Sequence, residues 1–150
     1  MKTILKKEIL NLSNTKQFAR DIFEVLNKEE NFTVFLEGGL GAGKTVLIRE
    51  ILGLFGVERE VTSPTYIFVN EYKAKKRNFA HFDFYRLPTL DEFFARGFGD
   101  IAEDSSISKF VEWPDKISEQ AKKGFSGKKF TIVIDYGQGA GMRKMKFLSS

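Results

Sequence analysis

The residues with the clearest chemical meaning are Gly38-Gly39-Leu40-Gly41-Ala42-Gly43-Lys44-Thr45, which fit the spacing G-x-x-x-x-G-K-[ST] of a phosphate-binding loop, or P-loop. Glycines at 38, 41 and 43 allow backbone conformations closed to other residues, so successive N–H groups converge on phosphate oxygens at the positive end of a following helix. Lys44 adds a compact charge for the β- and γ-phosphates, and the Thr45 hydroxyl is placed to ligate Mg2+. Such a loop needs a carboxylate near its metal, normally at the end of a strand beside the loop's own. Glu112, ending the run Ile107-Ser108-Lys109-Phe110-Val111, and Asp83, between His81 and Tyr85, are the two candidates. Glu112 lies about seventy residues past the loop, a separation suited to an adjacent parallel strand, and is favoured. Asp83 is then left to orient water or make a supporting contact. His81 reads as structural, and Arg86 as an ion-pair partner rather than a phosphate clamp.

These residues require a strand, a glycine turn and a helix in that order. Phe32-Thr33-Val34-Phe35-Leu36 is an apolar, β-favouring run before the loop, and Val46 to Leu52 has helical character after it, closed by Gly56. Upstream, residues 3–10 alternate as a strand, and Ser13, Asn14 and Thr15 offer caps for a helix carrying Phe18, Ile22, Val25 and Leu26. Asn14 with Gln17 has capping-box spacing. Downstream, Val61-Thr62-Ser63-Pro64-Thr65-Tyr66 carries three hydroxyls in a segment that Pro64 holds extended. Where this segment returns over the γ-phosphate, a serine or threonine there can sense it. Ile67–Tyr72 and Phe79–Tyr85 read as a hairpin, with His81, Asp83 and Tyr85 on one face of the second strand. Thr89 with Glu92 caps a short helix ending at Gly97, and Asp100–Glu103 forms another. Strand Ile107–Val111, helix Asp115–Lys123, strand Phe130–Ile134 and a last strand Arg143–Leu148 complete the expected elements.

A length of 150 residues suits one domain. With no cysteine and one histidine, disulfides and thiolate metal sites are excluded and a zinc site has little basis. Charges in Met1–Glu8 occupy the place of a signal peptide's apolar core, and no apolar run approaches a membrane span, so the expectation is a cytoplasmic protein with no membrane association. The net charge is +4, and from Lys116 onward eight Lys/Arg face only Glu119 and Asp135, an excess suited to nucleic acid, an acidic partner or plain solvation.

Gly-x-Leu-Gly-Ala-Gly-Lys-Thr at 38–45, Ser-Pro-Thr-Tyr at 63–66, His-x-Asp-x-Tyr-Arg-Leu at 81–87 and Val-Glu-Trp-Pro at 111–114 together resemble the TsaE (YjeE) family of small bacterial ATPases, over nearly the whole chain. The resemblance implies an α/β fold: a single P-loop NTPase domain over residues 1–150, three-layered, with a mixed, mainly parallel central sheet and an antiparallel hairpin. It implies ATP and Mg2+ as cofactors and a role in making threonylcarbamoyladenosine in tRNA alongside TsaB and TsaD. Transfer of the threonylcarbamoyl group belongs to TsaD, and tRNA is met through the complex. Residue by residue, it makes Lys44 the phosphate lysine, Thr45 and Glu112 the metal ligands, Ser63 to Thr65 a switch-like segment and Asp83 a support for hydrolysis. Thr15 matches the family's adenine-side segment. Gly141 and Arg143 match its late Gly-x-Gly-Arg element, with Met142 interposed here.

The alternative class is a small-molecule or nucleoside kinase, which needs an acceptor pocket and an arginine-bearing lid; no lid is evident in the sequence. A nucleotide-binding module without turnover is a third reading. Guanine specificity is disfavoured, because Asn27-Lys28-Glu29-Glu30 fails the Asn-Lys-x-Asp signature at its last position. Complete Mg-ATP parts without a lid, acceptor site or arginine finger predict slow hydrolysis alone, since a transition-state arginine is worth roughly 10³–10⁵ in rate.

Overall fold

A computed structural model describes residues 1–64, 67–137, 139 and 141–150. The elements run β1 (Lys2–Ile9), α1 (Leu12–Leu26), β2 (Phe32–Gly38), α2 (Lys44–Leu54), β3 (Val69–Lys73), β4 (Asn78–Asp83), α3 (Leu90–Ala95), α4 (Phe98–Glu103), β5 (Ile107–Glu112), a 3-10 turn (Pro114–Lys116), α5 (Glu119–Lys123), β6 (Lys128–Tyr136) and β7 (Arg143–Ser149). They build one seven-stranded mixed sheet in the order β1-β7-β6-β2-β5-β4-β3. Its centre, β6-β2-β5-β4, is parallel, and the expected β3–β4 hairpin forms one antiparallel edge. The other edge is also antiparallel: β7 pairs with both β6 and β1.

Period-two alternation in the strands separates two cores, giving the three layers. Phe32, Val34 and Leu36 of β2 point into the core shared with α1 and α2, whereas Phe35 points into the one covered by α3, α4 and α5. Most of the phenylalanines are spent in these two cores. Phe82, Phe84, Phe93, Phe98 and Phe125 make edge-on and tilted ring contacts on one side, and Phe130 stacks on Phe147 at 5.1 Å on the other.

Helix α1 is capped two residues earlier than the first of the three expected caps, at Asn11. The Asn11 side chain accepts from the Asn14 N–H, and the Asn14 side chain accepts from the Leu10 N–H, while Gln17 bonds to Asp21 instead of closing a capping box. The expected helix over 115–123 is broken. Pro114 opens a 3-10 turn, Ile117 is extended and buried, and Ser118 caps the short α5 by accepting from Ala121 N–H. Helix α2 starts at the P-loop lysine and closes at Gly56, with Val57 N–H donating to Leu52 O at 3.0 Å. Among the described residues no helix is long and apolar enough to cross a membrane.

Lys109 of β5 is fully buried under α4, its ammonium donating to Asp104 O at 2.6 Å, where α4 ends, and to Ser126 Oγ. Burial lowers its pKa from 10.5 to about 8, with Asp104 opposing and Lys129 reinforcing. Between these two values the unfolded chain holds a proton that the folded chain has released, so this group's contribution to stability rises with pH. Urea unfolding from pH 7.5 to 10.5 should therefore show the wild type gaining on Lys109→Met as pH rises; parallel curves would remove the assignment.

Candidate active site

The carboxyl ends of the parallel strands β2, β5 and β4 meet at one edge of the sheet, the position at which open α/β sheets bind ligands. Register aligns Leu36 of β2 with Glu112 of β5, and Glu112 with Asp83 of β4. The P-loop leaves β2 at this edge and wraps into α2. Gly41 and Gly43 have φ of 71° and 98°, left-handed conformations that a side chain would strain. The loop, Ser63, Asp83, Tyr85, Arg86, Glu112 and Trp113 line a cleft of about 440 Å³.

Lys44 is only 5% exposed; its ammonium donates to Gly38 O at 2.6 Å and lies 3.6 Å from the centre of the Trp113 ring. Trp113 has a φ of 58°, uncommon for a bulky residue, and this turns its ring back over the cleft immediately after Glu112. Desolvation holds the Lys44 pKa below the usual lysine value, opposed by Glu112, Asp83 and Asp115. The Thr45 hydroxyl lies 3.1 and 3.3 Å from the two oxygens of Glu112, which is itself buried. The two expected metal ligands are therefore adjacent. A hydroxyl and a carboxylate form a hard-oxygen set that fits Mg2+, a cation that keeps several waters and takes phosphate oxygens rather than a full protein cage. No cluster of three His, Cys, Asp or Glu that could hold a metal ion occurs among the described residues.

His81, fully buried, sits 2.5 Å from Glu112 Oε2 through Nε2; an ionised carboxylate has no proton to give, so Nε2–H is the donor. Asp83 is buried beside it, accepting from Ser63 Oγ at 2.8 Å and from Tyr85 N–H at 3.0 Å. Ser63 thus reaches the site, while Thr65, expected in the switch-like segment, lies outside the described residues. The preceding stretch is held by Arg49 Nε to Val61 O and Asn70 Nδ2 to Thr62 O.

A second cavity of about 300 Å³ opens on the other side of the P-loop and brings together Thr15, Gly41, Ala42, Gly43, Gly141 and Arg143. Two side chains grip the loop there from outside: Arg143 Nη2 donates to Gly41 O at 2.9 Å, and the Tyr136 hydroxyl donates to Leu40 O at 2.7 Å. Arg143 thus engages the loop backbone as well as lining the cavity. The grip of Tyr136 and the support of Glu112 by His81 were both missed in the sequence. His81 was recoverable in principle, because it shares the face of β4 that carries Asp83.

The family model described as Threonylcarbamoyl adenosine biosynthesis protein TsaE matches residues 9–145. The tRNA threonylcarbamoyladenosine biosynthesis protein TsaE of Haemophilus influenzae is 41% identical over 101 residues, covering 67% of this chain and 63% of that protein, under two thirds of its length. The protein of the same description from Rickettsia prowazekii is 36% identical over 104 residues, covering 69% of each. Among solved structures, YdiB of Bacillus subtilis superposes with a TM-score of 0.69 at 25% identity, covering 99% of this chain and 88% of that one.

Proposed function

The chain belongs to the TsaE family, and from that premise we propose that it binds and hydrolyses Mg-ATP in tRNA threonylcarbamoyladenosine biosynthesis, as a nucleotide-gated partner of TsaB and TsaD homologues rather than as the transferase. The observation that carries the reading is the Thr45–Glu112 pair, held at the mouth of the P-loop with Lys44 and Asp83 on the same cleft.

In this reading the P-loop N–H groups and Lys44 hold the β- and γ-phosphates, and Thr45 and Glu112 would hold Mg2+, which would supply neutralising charge to the phosphates. Asp83, lining the same cleft as Lys44 and Thr45, orients the attacking water. The water oxygen bonds to the γ-phosphorus, the bond to the β–γ bridging oxygen breaks with its electron pair leaving on ADP, and a proton of the water passes to an oxygen of the released phosphate. His81 fixes the Glu112 carboxylate, and Tyr136 and Arg143 fix the loop. The cavity beside Thr15 and Arg143 takes the adenosine end.

The test is phosphate release from labelled ATP by the protein alone, with TsaB–TsaD, and with tRNA added at fixed salt. Slow release alone and faster release in the complex are expected. Equal rates, with no complex detectable in ATP, would count against gating, and label appearing on an acceptor molecule would favour a kinase.

A further inference from the structure

Beyond Asp83 the chain makes a tight turn whose construction exceeds what a connection needs. Leu87 N–H donates to Phe84 O at 3.0 Å, closing the turn over residues 84–87, and both end residues are buried in the core under α3 and α4. Phe84 N–H donates to the carbonyl of Glu112 at 3.1 Å, so the turn is fastened to the backbone of the residue paired with Thr45. Tyr85 N–H is held by Asp83 Oδ1, and the Tyr85 ring packs on Trp113 at 4.8 Å, the same ring that carries the Lys44 ammonium. The one residue of the turn that remains largely exposed is Arg86, and it lines the cleft with Lys44, Thr45 and Asp83.

We infer that Arg86 is a catalytic residue of this site, supplying from the chain itself the guanidinium that neutralises charge developing on the transferring phosphoryl group. The inference rests on the ATPase reading above, and it gives Arg86, expected from the sequence as an ion-pair partner, the part of the arginine finger that the sequence did not reveal. The described cleft walls carry two cations. Lys44 approaches from the loop, where phosphate binds in ground and transition states alike. Arg86 comes from the β4 side, beside the carboxylate assigned to the water. A charge placed there is worth more as negative charge spreads over the transferring group than in the bound substrate, which makes it catalytic instead of merely adhesive. The turn's two buried anchors and its tie to Glu112 fix the root of the side chain, and a partner that steadies this wall of the cleft would raise turnover, so cis supply of the arginine and partner gating are compatible.

The experiment compares wild type, Arg86→Ala and Arg86→Lys, measuring affinity for Mg-ADP, affinity for Mg-ADP with aluminium fluoride as a mimic of the transferring group, and phosphate release. For Arg86→Ala, Mg-ADP affinity should stay within about twofold, because the transferring group on which the guanidinium acts is absent from that complex. Affinity for the aluminium fluoride complex and the rate of phosphate release should fall together by about a thousandfold or more, within the roughly 10³–10⁵ that a transition-state arginine is worth. Arg86→Lys, which keeps charge but loses the planar fork, should recover only part of this. Unchanged aluminium fluoride affinity in Arg86→Ala would overturn the assignment, as would an equal loss of Mg-ADP affinity, which would mark a ground-state clamp. If wild type itself binds neither ligand, the ATPase reading fails first and the assignment with it.

Discussion

Lys44→Ala is expected to weaken ATP binding by about ten- to hundredfold, the equivalent of a lost charge-assisted hydrogen bond of about 1.5–3 kcal/mol. The structure adds a reason for expecting the upper part of that range to be hard to reach. In the described site the ammonium already has partners, Gly38 O and the face of Trp113, and binding exchanges these for phosphate oxygens. Removing the side chain therefore costs the bound state more than the free state, but only by the difference. The substitution also removes a buried charge whose desolvation is only partly offset by Glu112, Asp83 and Asp115, so the protein should stay folded.

The lowered Lys44 pKa gives the same experiment a second axis. Between that lowered value and the ordinary 10.5, the folded empty protein has released a proton that the unfolded chain retains, so this group's contribution to stability rises with pH. Phosphate charge favours the ammonium, so binding ATP takes a proton back up, and affinity should fall as pH rises through the window. Titration calorimetry at neutral and alkaline pH should show that fall in wild type and a flatter profile in Lys44→Ala. An ATP dissociation constant unchanged by the substitution at neutral pH would exclude Lys44 as the phosphate lysine.

The site was legible where chemistry is encoded in short spacings. The P-loop, the acidic residue ending β5 and the His81-x-Asp83 alternation each follow from a few neighbouring residues, and parallel pairing of β2, β5 and β4 then brings them to one edge without further instruction. Less legible were choices among local competitors. Asn11, Ser13, Asn14 and Thr15 are all competent caps, and Asn11 prevails in reciprocal bonding with Asn14 and Leu10. The helical periodicity over 115–123 gives way because Ile117 is buried in the core in an extended conformation, and Ser118 offers a fresh cap. Least legible were contacts between distant parts of the chain. Nothing in the alternation of β7 says that it lies between β1 and β6, yet that placement carries Arg143 to Gly41, and the end of β6 carries Tyr136 to Leu40. Arg86 illustrates the same limit: as a sequence feature it is one basic residue in a motif, and only the turn fastened to Glu112 shows it to be part of the cleft wall.

Glu112→Gln is expected to abolish most Mg-dependent turnover while leaving metal-free nucleotide binding close to wild type. Removing groups that merely support a metal ligand costs about 10–100-fold in metal affinity or activity, so neutralising a ligand itself should cost at least about a hundredfold. The geometry lets the substitution remove the charge with little else. Glu112 accepts from both Thr45 Oγ1 and His81 Nε2–H at its Oε2, in a buried position. Glutamine with its oxygen at that position keeps both bonds, and its NH2 then lies where Oε1 was, within reach of the Thr45 hydroxyl, which can accept as well as donate. The variant should therefore stay folded while losing activity. Nucleotide affinity is measured in EDTA and then against rising Mg2+, alongside urea unfolding. Wild type should bind more tightly as Mg2+ rises, and the variant should respond weakly at every concentration while remaining folded below its unfolding transition. An intact Mg2+ response with normal hydrolysis would transfer the metal to Asp83, the adjacent carboxylate across the β4–β5 register, and would leave Glu112 as a structural acceptor for His81 and Thr45.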